Sequence, residues 1–83
     1  MKVSVAMATY NGAKYIESQL ESILGQLMDG DELIICDDGS RDTTIAVIER
    51  YMGFEKRIKL YRNQSLGVIR NFEYALMKCQ NDI

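Results

Sequence analysis

The chain has 83 residues, 47% of them hydrophobic and 27% charged, with a formal net charge of -2. That balance fits one small globular unit and excludes a disordered or fibrous chain. With no basic field, this segment is not expected to partner nucleic acid or an anionic membrane surface, although helix starts can still hold a nucleotide's phosphates through backbone N–H groups.

Lys2 to Ala8, KVSVAMA, is short, β-branched and apolar, and runs into Thr9-Tyr10-Asn11-Gly12. It reads as a strand entering a turn. Past Gly12 the period changes: Ile16, Leu20, Ile23, Leu24 and Leu27 recur at helical spacing, which predicts a helix from about Ala13 to Met28. Asp29-Gly30-Asp31 closes it. Glu32 to Cys36, ELIIC, is too short for a helix and nearly all apolar, as expected of a strand covered on both faces. Asp37-Asp38-Gly39-Ser40 follows. Asp42 and Thr43 then offer an N-cap to a second helix with Ile45, Ile48, Tyr51 and Met52 as its stripe, ended by Gly53. Arg57 to Arg62 alternates as a strand with one wet face. After the loop Asn63 to Gly67, a third helix is expected to carry Val68, Phe72, Leu76 and Cys79 on its buried face. Asn81-Asp82-Ile83 resembles the approach to a fourth strand.

The order is βαβαβα, so the expected fold class is α/β: a Rossmann-like three-layer αβα arrangement on a parallel sheet, with right-handed crossovers. Cys36 and Cys79 sit in apolar patterns without framework spacing, and histidine is absent, so two buried reduced thiols are expected. The N-terminus MKVSVAMATYNG has no long apolar run. Neither a signal peptide nor a membrane span is therefore expected, and a cytoplasmic location follows.

In an open parallel sheet, ligands bind beyond the carboxyl ends of the strands, where strand order reverses. Three loops emerge there: Thr9 to Gly12, Asp37 to Ser40, and Asn63 to Gly67. Tyr10 can stack on a planar base or simply pack on the first helix. Asp37 and Asp38 point in opposite directions, so they are not a catalytic dyad. One can face the cleft, where a carboxylate accepts from a ring N–H such as uracil and thymine carry and cytosine lacks. The same Asp-Asp-Gly-Ser is also good turn and cap chemistry. Arg70 can reach a diphosphate or a ribose, or remain a solvated charge. Gly67 either permits close backbone approach or only supplies the turn. No G-x-G-x-x-G and no P-loop occurs, which disfavours an NAD site and a Walker-type NTPase.

Together these segments resemble the start of a family 2 inverting glycosyltransferase of the GT-A fold. Val3 to Asn11 is similar to the family's opening strand with its T-Y-N turn, and Gln19 to Gln26 to the first helix. Leu33 to Thr44 resembles the hallmark strand followed by D-D-G-S-x-D-x-T. Asn63, Gly67, Arg70 and Asn71 resemble N-x-x-x-G-x-x-R-N, and Leu66 to Leu76 is similar to the rhamnosyltransferase-like branch that builds bacterial surface polysaccharides. Ala8 stands where many members carry Pro.

The resemblance implies transfer of a sugar from a UDP- or dTDP-sugar to an acceptor hydroxyl, with inversion. It implies that Tyr10 and Asp38 hold the base, Thr9 and Asn11 shape its pocket, Asp37 supports the ribose side or the turn, and Gly67 and Arg70 lie near the nucleotide. It also implies a divalent cation, Mn or Mg, in the intact enzyme. The family's metal-binding D-x-D, general base and acceptor site come after the part present here. The expectation is thus that residues 1–83 are the N-terminal nucleotide-sugar-binding portion of a larger domain, and inactive alone. If the chain ends at Ile83, Lys2–Ala8 becomes a bare apolar edge, which predicts self-association, a homodimer through that edge or by exchange of an element. A non-catalytic nucleotide-binding module of the same shape is the main alternative. A receiver-type phosphoacceptor is disfavoured, because its acidic pair would follow the first strand.

Overall fold

Every residue of the segment Glu32–Asp37 is buried, and the fold is arranged around it. The structure, a computed structural model, describes residues 1–81. In chain order it contains β1 (Ser4–Thr9), α1 (Ile16–Leu24), β2 (Glu32–Asp37), α2 (Thr44–Met52), β3 (Ile58–Arg62) and α3 (Val68–Lys78). β2 lies between β1 and β3 and pairs in parallel with both. The near-continuous apolar run of a central parallel strand is what both-face burial demands. Asp82, Ile83 and the start of the fourth strand expected there lie outside the described residues.

Alternation along β2 divides the core in two. Leu33 and Ile35 face α1 and α2, packing with Ile16, Leu20, Ile48 and Tyr51. Ile34 and Cys36 face α3, packing with Ala75. The result is a three-layer αβα sandwich, as the element order predicts. Strand order does not reverse among the described strands, but the helices change side: α3 crosses to the opposite face and packs on both β2 and β1.

Three expectations differ in detail. α1 begins at Ile16, not Ala13, because Gly12 to Tyr15 is taken up by a turn in which the Tyr15 and Ile16 amides both donate to the Gly12 carbonyl. It ends at Leu24, since Gly25 closes the last turn. The buried face of α3 is Asn71 and Ala75; Val68 and Phe72 point outward, at 78% and 41% exposure. The small Ala75 lets the helix approach the sheet closely, which rotates the larger apolar side chains away. Cys36 is buried as expected, while Cys79 is only half-buried, and both are free thiols. Burial pushes the Cys36 thiol up to about 11, so it stays protonated at neutral pH.

The amino ends of the strands are closed by two carboxylates. Asp31 accepts from the Val3 and Met28 amides at 2.8 and 2.7 Å. Glu32 accepts from the Ser4 hydroxyl, the Lys59 ammonium and the Gln80 amide. Burial alone would raise the Glu32 carboxyl, but the Ser4, Gln80 and Lys59 donors outweigh it and hold the group at about 2. Asn81 completes this end, its amide donating to Ser4 Oγ at 2.8 Å and its side chain to the Gly30 carbonyl at 2.9 Å.

Candidate functional site

At the opposite end the strands stop at Thr9, Asp37 and Arg62, and the loops that follow are bound to one another. Thr9 and Asp37 are ladder partners. The Thr9 hydroxyl donates to Asp37 Oδ1 at 2.6 Å, Ser40 Oγ donates to the same oxygen at 2.5 Å, and the Ser40 amide donates to Oδ2 at 2.8 Å. Asp37 is 1% exposed, so all this hydrogen bonding offsets the cost of burying its charge. Its backbone carbonyl accepts from the Asn63 amide at 2.7 Å.

Asn11 carries the network outward. Its φ of 48° is the left-handed region that asparagine tolerates better than most residues. The turn this creates lets its amide donate to Ser40 Oγ and its side-chain oxygen accept from the Arg41 amide, both at 2.8 Å. Asp42 works behind it, accepting from the Thr44 amide and from the Ala13 amide. The Thr44 hydroxyl, followed by its amide, holds the Asp42 carboxyl below the usual range. Thus Asp42 serves the start of α2 from one residue before the N-cap position, while Thr43, which occupies that position, makes no side-chain cap bond.

Asp38 faces the other way, as strand alternation requires. Its Oδ1 accepts from the Leu66 amide at 2.8 Å and its Oδ2 from the Gly67 amide at 2.9 Å. Each carboxylate oxygen keeps further acceptor capacity. Gly67 lies at φ 86° and ψ 160°, a region essentially closed to residues with a Cβ. That conformation aims the two consecutive amides at Asp38 while starting α3.

The outcome is an open cleft of about 540 Å3, lined by Ala8, Thr9, Tyr10, Asp38, Ser65, Gly67, Val68 and Asn71. Tyr10 is 58% exposed at its edge. Of the residues singled out from the sequence, Thr9, Tyr10, Asp38 and Gly67 meet in this cleft. Asp37 and Asn11 lie behind it as supports for the turn. Arg70, on the first turn of α3, is exposed and does not line it. Asn71 is the lining residue that periodicity missed: a polar residue next to Arg70 reads as helix surface, yet it is 1% exposed. The available signal was its place in the N-x-x-x-G-x-x-R-N resemblance, together with its spacing of four from Ala75.

The described residues contain no group of three or more His, Cys, Asp or Glu side chains placed to hold a metal ion. They contain no helix long and apolar enough to cross a membrane.

Comparison with known proteins agrees on one family. The sequence profile of Glycosyl transferase family 2 matches residues 4–83. EpsH of Bacillus subtilis (strain 168), whose name assigns it provisionally to the glycosyltransferases, is 42% identical over 71 residues, 83% of this chain and 21% of EpsH. The chondroitin synthase of Escherichia coli is 31% identical over 78 residues, 94% of this chain and 11% of that protein. The chain therefore spans well under a third of the length of either relative. Among solved structures, residues 1–349 of Staphylococcus aureus TarS superpose with a TM-score of 0.84 at 30% identity, covering 98% of this chain and 25% of that one. TarS has also been solved in complex with UDP. The mannosyltransferase PcManGT of Pyrobaculum calidifontis, in complex with GDP-Man and Mn2+, superposes with a TM-score of 0.84 at 26% identity, covering 94% and 24%.

Proposed function

This chain belongs to glycosyl transferase family 2, and we propose that its cleft is the donor-nucleotide half-site of an inverting glycosyltransferase using a UDP- or dTDP-sugar. The observation that carries this is the pairing of an exposed Tyr10 ring with an Asp38 carboxylate fixed by two backbone amides on one cleft. The ring offers a stacking face for a base. The carboxylate offers only acceptors, so it prefers a base with a ring N–H, as uracil and thymine carry, over cytosine, which can meet it only through its exocyclic amine. Guanine also carries such an N–H. TarS, solved with UDP, is 29% identical to this chain against 26% for PcManGT, although its UDP complex superposes less closely (TM-score 0.76 against 0.84); the sequence likeness supports uracil over the guanine held by PcManGT.

In this reading Thr9 and Asn11 shape the base pocket. Asp37 supports the turn from beneath and, through it, the ribose side. Gly67 supplies close backbone approach, and Arg70 meets the nucleotide from outside the cleft wall. The whole enzyme joins an acceptor hydroxyl oxygen to the anomeric carbon as the bond to the nucleoside diphosphate breaks. The hydroxyl proton goes to a base. A divalent cation would stabilise the departing diphosphate; the described residues do not assemble its ligands, so it would be held elsewhere in the protein. Residues 1–83 then form the donor part of a larger catalytic domain and turn over nothing alone. The product is a cell-surface polysaccharide, in keeping with the chondroitin synthase relative, and the likeness of Leu66 to Leu76 to rhamnosyltransferases makes rhamnose the first sugar to try. The free thiols fit a cytoplasmic setting.

Among the described residues β1 has a strand partner on one side only. Its other side opens on a shallow groove lined by Val5, Ala6, Met7, Ala8 and Gln19. A second copy of the chain pairing along this edge is the expected self-association.

The test is a titration with UDP, dTDP, CDP and GDP, each with and without Mn2+, followed by amide NMR. Shifts at Tyr10, Asp38 and Gly67 with UDP or dTDP, indifferent to metal, are expected. Equal shifts with CDP would refute the role given to Asp38, and no shifts with any nucleotide would refute the half-site.

A further inference from the structure

Asn71 is 1% exposed, lines the cleft, and uses both ends of its amide. Its Nδ2 donates to the Cys36 carbonyl at 2.7 Å, and its Oδ1 accepts from Asn63 Nδ2 at 3.1 Å. Its backbone amide donates to the Gly67 carbonyl at 2.9 Å. Asn63 in turn donates its own amide to the Asp37 carbonyl. One side chain on α3 therefore touches the strand end just before the two acidic residues and the first residue of the 63–67 loop. Its backbone holds the last residue of that loop.

We propose that Asn71 is a positioning residue for the donor base: its side chain ties the start of the 63–67 loop, at Asn63, to β2 at Cys36, so that the Leu66 and Gly67 amides fix the Asp38 carboxylate in the cleft. Packing alone gives no reason for an amide here. An apolar side chain of similar size would fill the helix–sheet contact without the cost of burying a donor and an acceptor. The position earns its polarity through the loop it holds: cut the clamp, and the loop loses the side-chain tether at Asn63, although Gly67 keeps the start of α3. Asp38 then loses its fixed orientation while the rest of the sheet stays closed by Asp31 and Glu32 at the far end. The proposal rests on the nucleotide reading above for its consequence, but its structural half can be read without ligand.

The experiment compares the 83-residue chain with Asn71→Ala and Asn71→Asp. The second variant keeps the acceptor for Asn63 but sets an oxygen against the Cys36 carbonyl. Two quantities are measured: UDP affinity, and amide hydrogen exchange at Leu66 and Gly67 in the free protein, with the β2 amides as a reference for global stability. The expected result is unchanged β2 protection, with exchange at Leu66 and Gly67 faster and UDP bound more weakly, each by at least about tenfold, the weight of one hydrogen bond to a charged group. A folded variant with unchanged exchange at those two amides overturns the proposal. So does weaker binding accompanied by an equal loss of β2 protection, which a purely structural role would produce. If the parent chain binds no UDP, the nucleotide reading fails and the exchange rates alone decide the role of Asn71. If both Asn71 variants fail to fold, Asn63→Ala, which cuts the loop tether and spares the Cys36 contact, decides by the same two measurements.

Discussion

The Thr9 hydroxyl donates to Asp37 Oδ1 at 2.6 Å across the last rung of the β1–β2 ladder, so the tips of two strands are joined by a buried hydrogen bond to a charged group. Removing one donor from a buried carboxylate leaves part of its desolvation uncompensated. Thr9→Val, which keeps the shape and deletes the hydroxyl, is expected to lower unfolding stability by about 1–3 kcal/mol. Thr9→Ser restores most of it. Urea denaturation of the three proteins checks both statements.

Tyr10 is 58% exposed, so a shorter side chain forfeits little packing. Tyr10→Ala is therefore expected to leave stability nearly unchanged while weakening UDP binding by about 1–3 kcal/mol, the value of one base–aromatic stack. Tyr10→Phe keeps the ring and should bind within about twofold of the parent on the same grounds. Isothermal titration of the folded proteins distinguishes them.

Gly67 has open space around the position a Cβ would take, but its φ is +86°. Gly67→Ala therefore meets no clash and still costs about 1–3 kcal/mol in backbone strain. Relief of that strain would rotate the Gly67 amide away from Asp38, so nucleotide affinity is expected to fall as well. Urea denaturation and a UDP titration on the same sample measure the two effects.

Glu32 predicts a pH dependence. Its folded pKa of about 2 lies below the ordinary 4.5. A depressed carboxyl contributes stability that is fully present above the unfolded value and is lost as pH falls through the folded one. Stability is thus expected to decline between about pH 4.5 and pH 2, by about 3 kcal/mol from this group. Glu32→Gln should flatten much of that limb. The remaining slope belongs in part to Asp31, which its Met28 and Val3 amide donors hold below the usual carboxylate range. Urea midpoints across that pH range give the answer.

Self-association along β1 is expected to respond to the backbone. Val3 and Thr9 turn their carbonyls toward β2, so by the alternation of a parallel ladder Ala6 and Ala8 point their N–H groups away from it. Ala8→Pro removes an outward donor and spares the β2 pairing. Sedimentation velocity at high concentration should show the parent chain associating and Ala8→Pro largely monomeric. A monomeric parent would refute the edge contact.

The alternation of elements was legible because the hydrophobic period switches sharply at Gly12 and again after Ser40. That β2 is covered on both faces was legible from ELIIC, since such a strand reads as apolar throughout; its place between β1 and β3 was not. The opposite facing of Asp37 and Asp38 followed from strand geometry. The buried face of α3 was not legible. Periodicity favoured its large residues Val68 and Phe72, whereas contact with the sheet selected the small Ala75 and a hydrogen-bonded Asn71. The extent of α1 escaped for a similar reason: its apolar spacing continues to Leu27, while the backbone leaves the helix at Gly25. Arg70 could be placed on the first turn of α3 but not aimed, because a long exposed side chain has no fixed direction that spacing can reveal.

Glu32 and Asp37 are the two ends of one strand, roughly 16 Å apart at the usual rise per residue. The far end is locked by Asp31, Glu32 and Asn81, and the near end carries the loops that present Tyr10 and Asp38. Substitutions that retune what the cleft accepts therefore fall in a region whose loss does not open the sheet from below. The two ends of β2 thus separate what holds the sheet from what meets a ligand, so loops grafted at the Asp37 end leave the lock at the Glu32 end in place.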